Sequence, residues 1–301
     1  MKISQSIIFL FIVATACMPD KEPPIVELST NISNLLSQSQ GTFAVAFEDL
    51  KTGDTLYFNA RERFHAASTM KTPVMIELYK QANEGKFSLD EPVLVKTEFS
   101  SIVDGSTYEM DISDDSEGTL YDKVGSMVPM NELIYEMITK SSNLATNILI
   151  ELVDAKKVTL SMRDLGAPDI EVLRGVEDIK AYEKGLSNTT TAYDLMKIYE
   201  AIGKEEIISS EVCDEMLDIL LDQNFNSVIP ALLPEGVKVA HKTGSITGVQ
   251  HDSGIVILPN GHQYVLVLLS KDLDDRKQGI ETLSRISEMV YKFVVAEKDQ
   301  Y

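Results

Sequence analysis

The stretch "GVKVAHKTGSITGVQHDSGIVILPNGHQYVLVLLSK", from Gly236 to Lys271, decides the fold. It divides into three runs rich in valine, isoleucine and leucine, broken at Thr247-Gly248 and at Pro259-Asn260-Gly261, residue types that turn an extended chain. The spacing predicts three consecutive antiparallel strands. Upstream, "GTFAVAFEDLKTGDTLYFNA", from Gly41 to Ala60, gives two alternating apolar runs around Lys51-Thr52-Gly53-Asp54, a hairpin signal. Helical periodicity runs from Ile25 to Gln38, dominates from Ser68 to about Asp222, and returns in a long segment from about Asp274 to Lys298. Strands at both ends with helices between them predict an α+β fold. One five-stranded antiparallel sheet is flanked by N- and C-terminal helices, and an all-helical lobe is inserted into it. The expected division is an α/β lobe of residues 27–64 plus 235–299 around a helical lobe of residues 65–234.

The chain has 301 residues, 44% of them hydrophobic and 25% charged, which suits a folded domain with a sizeable core. Its net charge of −20 excludes nucleic acid and anionic membrane surfaces as partners, because that attraction needs clustered lysine and arginine. The same charge makes a monomer the expectation. The most acidic segment, "SSIVDGSTYEMDISDDSEGTLYDKVGS" from Ser100 to Ser126, reads as a solvated loop or a small β excursion. Four histidines with no paired His or Cys ligand spacing point to no metal, and His241 reads as a packed strand residue. No cofactor is implied.

The first residues, "MKISQSIIFLFIVATAC", have one lysine, an apolar run from Ile7 to Ala14, and small residues up to Cys17. This is the layout of an export signal over residues 1–16, too short to span a bilayer as a permanent helix. "ATAC" resembles a bacterial lipobox, which would place a lipid anchor on Cys17 and the protein at the periplasmic face of a membrane; Ala14 and Ala16 fit ordinary signal cleavage as well. Residues 17–26, rich in proline and charge, read as a tether. Cys213 is then left without a free partner, so no disulfide is expected.

Chemistry enters at "FHAASTMKTPVMIELYK", from Phe64 to Lys80, where Ser68 and Lys71 lie three residues apart at the start of a helical pattern. Residues at i and i+3 share a helix face, so the hydroxyl and the amine can meet. A serine needs a neighbouring base to become a nucleophile, and a lysine is one only when burial or nearby positive charge lowers its pKa. Ser68 as a plain helix cap beside a solvated Lys71 is the alternative reading. Two further groups follow in order: Ser141-Ser142-Asn143 at a junction between helical patterns, and Lys242-Thr243-Gly244 on a predicted strand.

In that order the three groups resemble the motif set of the serine β-lactamases and penicillin-binding proteins, most closely the class A β-lactamases. The resemblance covers nearly all of residues 27–299, from the N-terminal hairpin through "STMK", "SSN", "ATN", "NTTTAYDL" and "HKTG" to the terminal helix. It implies a hydrolase that opens a β-lactam ring through an acyl-enzyme on Ser68, and hence antibiotic resistance. Lys71 would be base or proton relay, and Ser141 would pass a proton to the leaving nitrogen. Asn143 would bind the substrate's side-chain amide, while Lys242 and Thr243 would hold its carboxylate. The N–H groups of Ser68 and Ser245, beside Gly244, would receive the oxyanion. A D,D-peptidase acting on D-alanyl peptides, or a sensor that acylates without turnover, would use the same acylation residues.

The chain departs from the family pattern in three places. The loop "LRGVEDIKAYEKGLSNTTTAYDL" lacks the Glu-x-x-Leu-Asn of class A enzymes, leaving Glu177 first and Glu183 second as candidates to activate the deacylating water; Asn147, one turn after Asn143, is placed to orient that glutamate. Ser142 replaces the usual aspartate of Ser-Asp-Asn, removing a buried carboxylate. "SITGVQHDSGIV", after the Lys-Thr-Gly, offers no arginine for the substrate carboxylate.

Overall fold

The computed structural model describes residues 24–298. The expected signal and Cys17 therefore lie outside the described residues. Helix α1, Pro24–Ser37, opens the fold, so the folded body begins inside the stretch read as tether. The predicted hairpin follows as β1, Thr42–Asp49, and β2, Thr55–Phe58. Asp49 shapes its turn by accepting hydrogen bonds from Lys51 N at 2.9 Å and Thr52 N at 3.1 Å.

After the two-residue strand β3, Phe64–His65, a 3-10 turn over Ala67–Met70 leads into α2, Lys71–Asn83. The region read as helical then carries short strands: β4 Pro92–Leu94, β5 Glu98–Ser100, β6 Thr107–Glu109 and β7 Met127–Pro129. Helices α3 Met130–Thr139, α4 Asn143–Val153, α5 Ala155–Asp164 and α6 Ile179–Glu183 come next. Strand β8, Thr189–Thr190, pairs with β3, and α7 Ala192–Gly203 and α8 Ser210–Leu221 complete the lobe. The decisive stretch forms β9 Lys238–Ile246, β10 Val249–Ile257 and β11 Gln263–Lys271, and α9, Arg276–Lys298, closes the described chain.

The sheet has the order β2-β1-β11-β10-β9, antiparallel throughout, so the first hairpin pairs with the last strand as the sequence predicts. Its side chains alternate between two cores. Phe43, Val45, Phe47, Leu266 and Leu268 pack with Leu28, Ile32, Leu283 and Val290 of α1 and α9. Ala44, Ala46, Val265, Val267 and Leu269 face the helical lobe, joining Met70, Val74, Leu195 and Tyr199. Both faces are therefore covered, and period-two alternation in a strand buried on both sides reads as a continuous apolar run.

Strand β9 is an edge of this sheet, and it carries the Lys-Thr-Gly group. A neighbour packs tightly behind it: a Cβ built on Gly254 of β10 would lie 2.2 Å from Ala240 O and 2.6 Å from His241 Cβ. His241 is fully buried and its Nδ1 meets Asp252 Oδ1 at 2.7 Å, the packed strand residue that was expected. Asp252 Oδ2 in turn accepts from Ile229 N at 3.0 Å, fixing the chain that approaches the strand from α8. Cys213 is a buried free thiol in α8.

Candidate active site

One cavity of about 680 Å³ opens between β9, the Ser68 turn, the head of α4 and the loop of residues 171–188. Ser68, Ser141, Asn143, Glu177, Thr243, Gly244 and Ser245 all line it. Ser68 stands in the 3-10 turn, where i and i+3 eclipse one another, and Lys71 is the first residue of α2. No side-chain cap bond is made there, which removes the reading of Ser68 as a cap. A Cβ on Gly244 would sit 3.0 Å from both Ser68 N and Thr69 N, so glycine is what lets β9 pass directly over the turn that presents the nucleophile.

Lys71 and Lys242 are both fully buried and converge on Ser141. Lys71 Nζ donates to Ser141 O at 2.7 Å, to Asn143 Oδ1 at 2.9 Å and to Ser141 Oγ at 3.2 Å. Lys242 Nζ donates to Ser141 Oγ at 3.1 Å and to Thr243 O at 3.0 Å. The Ser141 hydroxyl thus lies between two ammonium groups. Burial lowers the Lys71 pKa from 10.5 to about 7, against the pull of the Asp115 and Glu177 carboxylates. Burial, and then the charge of Lys71, holds Lys242 well below its ordinary range. Among the described residues Lys71 makes no hydrogen bond to Ser68; its three protons point to the Ser141-Asn143 turn.

Left-handed backbone clusters at this cavity. Ala67, Ser141 and Glu177 have φ of 44°, 59° and 59°, a conformation that costs a non-glycine residue about 1 kcal/mol or more. Ser141 is held there by two donors to its carbonyl, Lys71 Nζ at 2.7 Å and Ser116 Oγ at 2.8 Å.

The acidic segment forms the small β5–β6 hairpin and two 3-10 turns, and it does more than coat the surface. Ser142, where the family carries aspartate, is the N-cap of α4 and accepts from Ala145 N at 3.2 Å. The carboxylate absent from that position arrives from Asp115. Its Oδ1 accepts from Asn143 N and its Oδ2 from Leu144 N, both at 2.8 Å. Asn143 Nδ2 also donates to Asp114 O at 3.0 Å. The loss of a carboxylate read from Ser142 is therefore made good from elsewhere in the chain, at a positive helix end that favours it. Asp115→Ala is expected to lower the free energy of unfolding by about 1–2 kcal/mol, read as an earlier urea midpoint, because two partly buried helix-end N–H groups lose their acceptor.

The loop of residues 171–188 corrects two expectations. Glu183 is exposed on α6 and does not line the cavity, so it leaves the contest. Asn147 does not touch the Glu177 carboxylate. Its Oδ1 accepts from Val176 N at 2.6 Å and its Nδ2 donates to Val176 O at 3.0 Å, clamping the backbone one residue earlier. Gly175 makes room for that clamp, since a Cβ there would lie 2.1 Å from Asn147 Oδ1. Glu177 itself is half-buried, and its Oε1 accepts from Asn143 Nδ2 at 3.4 Å. Burial and then Asp114 push its pKa up.

The missing arginine is also present. Arg276, in the first turn of α9, donates through Nη2 to Ser245 Oγ at 3.3 Å and through Nε to Gln250 Oε1 at 2.9 Å, and it lines the cavity beside Thr243. Sequence distance hid it: the β10–β11 turn returns the chain so that Leu273 N donates to Gly248 O at 3.1 Å, which sets the head of α9 against the end of β9.

The sequence profile of the beta-lactamase enzyme family matches residues 27–294. This chain belongs to that family. A beta-lactamase of Bacteroides uniformis is 27% identical, the alignment covering 88% of this chain and 90% of the relative. Among solved structures, an acyl-enzyme complex of a PBP-A variant with penicillin G superposes with a TM-score of 0.77 at 30% identity, over 92% of this chain and 98% of that one. A beta-lactamase from Sphaerobacter thermophilus gives 0.75 at 26% identity, over 88% and 96%. For this beta-lactamase-family chain, the expected α+β architecture and the expected family agree with the observed fold.

Proposed function

We propose that this protein is a class A-like serine β-lactamase that opens the lactam ring of penicillins and cephalosporins through an ester on Ser68, and so confers antibiotic resistance. The observation that carries the reading is the convergence of Lys71 and Lys242 on the Ser141 hydroxyl in the cavity that Ser68 lines. In the acylation step Ser68 Oγ bonds to the lactam carbonyl carbon and gives its proton to a neutral Lys71. The N–H groups of Ser68 and Ser245 receive the oxyanion; β9 is an edge strand, which leaves alternate N–H groups outside the ladder. As the C–N bond breaks, the Ser141 hydroxyl protonates the nitrogen and is reprotonated from the lysines beside it. Lys242, Thr243, Ser245 and Arg276 hold the substrate carboxylate, and Asn143 its side-chain amide. Water activated by Glu177 then attacks the ester, and Ser68 regains its proton.

The acylation rate constant carries a pH signature. Lys71 is a base only when neutral, and its pKa is lowered to about 7, so acylation is expected to rise about tenfold per pH unit below that value and to level above it. Stopped-flow acylation by a chromogenic cephalosporin from pH 5 to 9 checks this; a flat profile removes Lys71 as the base. Asp115 pulls the Lys71 pKa upward, so its replacement by asparagine moves the inflection to lower pH.

A D,D-peptidase is the second reading. It is favoured by one feature: the residue that Asn147 clamps is Val176, while the Glu177 carboxylate meets Asn143 and makes no hydrogen bond to Lys71 or Ser68 among the described residues. Steady-state turnover of penicillin, set against release of D-alanine from a D-alanyl-D-alanine peptide, separates the two. Export through the first sixteen residues, a lipid anchor on Cys17 and a monomeric state belong to the same proposal, supported by the apolar run from Ile7 to Ala14, the "ATAC" sequence and the net charge of −20.

A further inference from the structure

We propose that His65 is a positioning residue for acylation, its neutral imidazole holding the turn that presents Ser68 so that the Ser68 N–H is left for the oxyanion. The inference rests on the lactamase reading above and adds a group that this reading does not use. Residues 66–69 form a turn closed by Thr69 N donating to Ala66 O at 3.1 Å, with Ala67 at its second position at a φ of 44°. A turn of this kind satisfies the N–H of its fourth residue and leaves those of its second and third without a partner inside the turn. His65 Nδ1 accepts from the second, Ala67 N, at 3.0 Å. The third, Ser68 N, has no acceptor among the described residues, and a Cβ built on Gly244 would lie 3.0 Å from it. The N–H that opens the turn, that of Ala66, is also taken, by Asn188 O at 2.8 Å. Ser68 N is therefore the donor that remains, on a residue that lines the cavity.

A positive φ is costly for a non-glycine residue and persists only where its surroundings enforce it. Here the enforcement runs through two histidines. Because His65 Nδ1 accepts, its proton sits on Nε2, and a second proton on Nδ1 would set two donors head to head. The carbonyl of His65 is held from the sheet. His251 Nδ1 accepts from Ser270 N at 3.1 Å, so His251 Nε2 carries the proton and donates to His65 O at 2.9 Å. His251 is fully buried, and burial pushes its pKa down to about 4. It also pairs with Gly244, so the residue that braces His65 and the glycine that lets β9 pass the Ser68 turn are cross-strand partners. The charged and titratable groups facing His65 are Arg174 and Tyr182 from the loop and His251 from β10. Burial, and then the Arg174 charge, hold the His65 pKa below its ordinary 6.5, so the neutral acceptor is the form present at neutral pH.

The test measures the acylation rate constant at saturating benzylpenicillin, and the dissociation constant of the unreacted complex, in the wild type, His65→Leu and His65→Asn. An asparagine Oδ1 accepts from the N–H two residues on, as His65 Nδ1 does, but takes up no proton at working pH. His65→Leu is expected to slow acylation about 10²-fold and to alter the dissociation constant less than about threefold, because the oxyanion donor is misplaced while the groups proposed to hold the substrate are untouched. His65→Asn is expected to recover acylation to within about fivefold of the wild type. Below pH 7 the wild type should lose about tenfold per pH unit from Lys71 and about a hundredfold per unit once His65 also protonates; His65→Asn should keep the single limb. Carboxylates that titrate in the same range act alike in both proteins. If His65→Leu does not fold, the asparagine profile carries the test alone. Equal rate constants in the wild type and a folded His65→Leu, an asparagine variant as slow as the leucine one, or parallel profiles down to pH 4 overturn the positioning role while the lactamase reading stands. No acylation of the wild type overturns both.

Discussion

Ser68→Ala is expected to leave no covalent adduct with any penicillin and to cut turnover by about 10⁴-fold or more. The size follows from what the hydroxyl supplies. Lys71, Ser141 and Lys242 would remain in place, since none of them hydrogen-bonds Ser68 in the resting site, and the turn of residues 67–70 is held by Thr69 Oγ1 donating to Ala66 O at 2.6 Å. The variant should therefore fold and still bind lactam. What it loses is the bond-forming atom, carried by the turn that β9 passes at Gly244. Chromogenic cephalosporin turnover and intact mass measure the two losses together. A folded Ser68→Ala protein that still acquires lactam mass would place the nucleophile elsewhere and dismantle the proposed mechanism.

Glu177→Gln is expected to act on the second half of the cycle. Glutamine keeps the size of the side chain and an oxygen for Asn143 Nδ2, but it cannot take a proton from water. Acylation then proceeds and the ester persists, with deacylation slowed about 10²–10⁴-fold, seen as a stable adduct by time-resolved mass. Burial raises the Glu177 pKa, so in the wild type deacylation should fade as pH drops through that raised value, because only the carboxylate is a base. An adduct that clears equally fast from wild type and variant eliminates Glu177 as the activating group. An adduct that persists in the wild type turns the reading to the peptidase or the sensor, in which water is not well activated.

Much of this molecule was legible before folding because its signals are local. The hairpin at Lys51–Asp54, the three terminal strands and the terminal helix follow from alternation and turn residues within short windows. Ser68 and Lys71 are neighbours in sequence, and Ser141 and Lys242 sit in motifs of fixed order. The short strands β3 to β8 escaped because two or three residues carry no period. Asp115 and Arg276 escaped for another reason. Each works through a partner far along the chain, Asn143 and Ser245 respectively, and only the closed fold makes them neighbours. Asp115 had a faint signature, an Asp-Asp pair in a segment otherwise poor in apolar residues, but nothing local says which helix it would cap. The spacing of Asn147 shows that it shares a helix face with Asn143, but not whether it meets a side chain or, as here, the backbone of Val176.

The three left-handed residues around the cavity have an implication for laboratory evolution. A campaign that selects only for heat tolerance would find glycine attractive at Ala67, Ser141 and Glu177, since each swap releases a conformational penalty. Two of those swaps delete the proposed proton shuttle and the proposed water activator, and the third loosens the turn that carries the nucleophile. Thermal hardening of this scaffold is therefore best sought on the far face of the sheet, among the contacts of α1 with α9, where no reacting group is at stake.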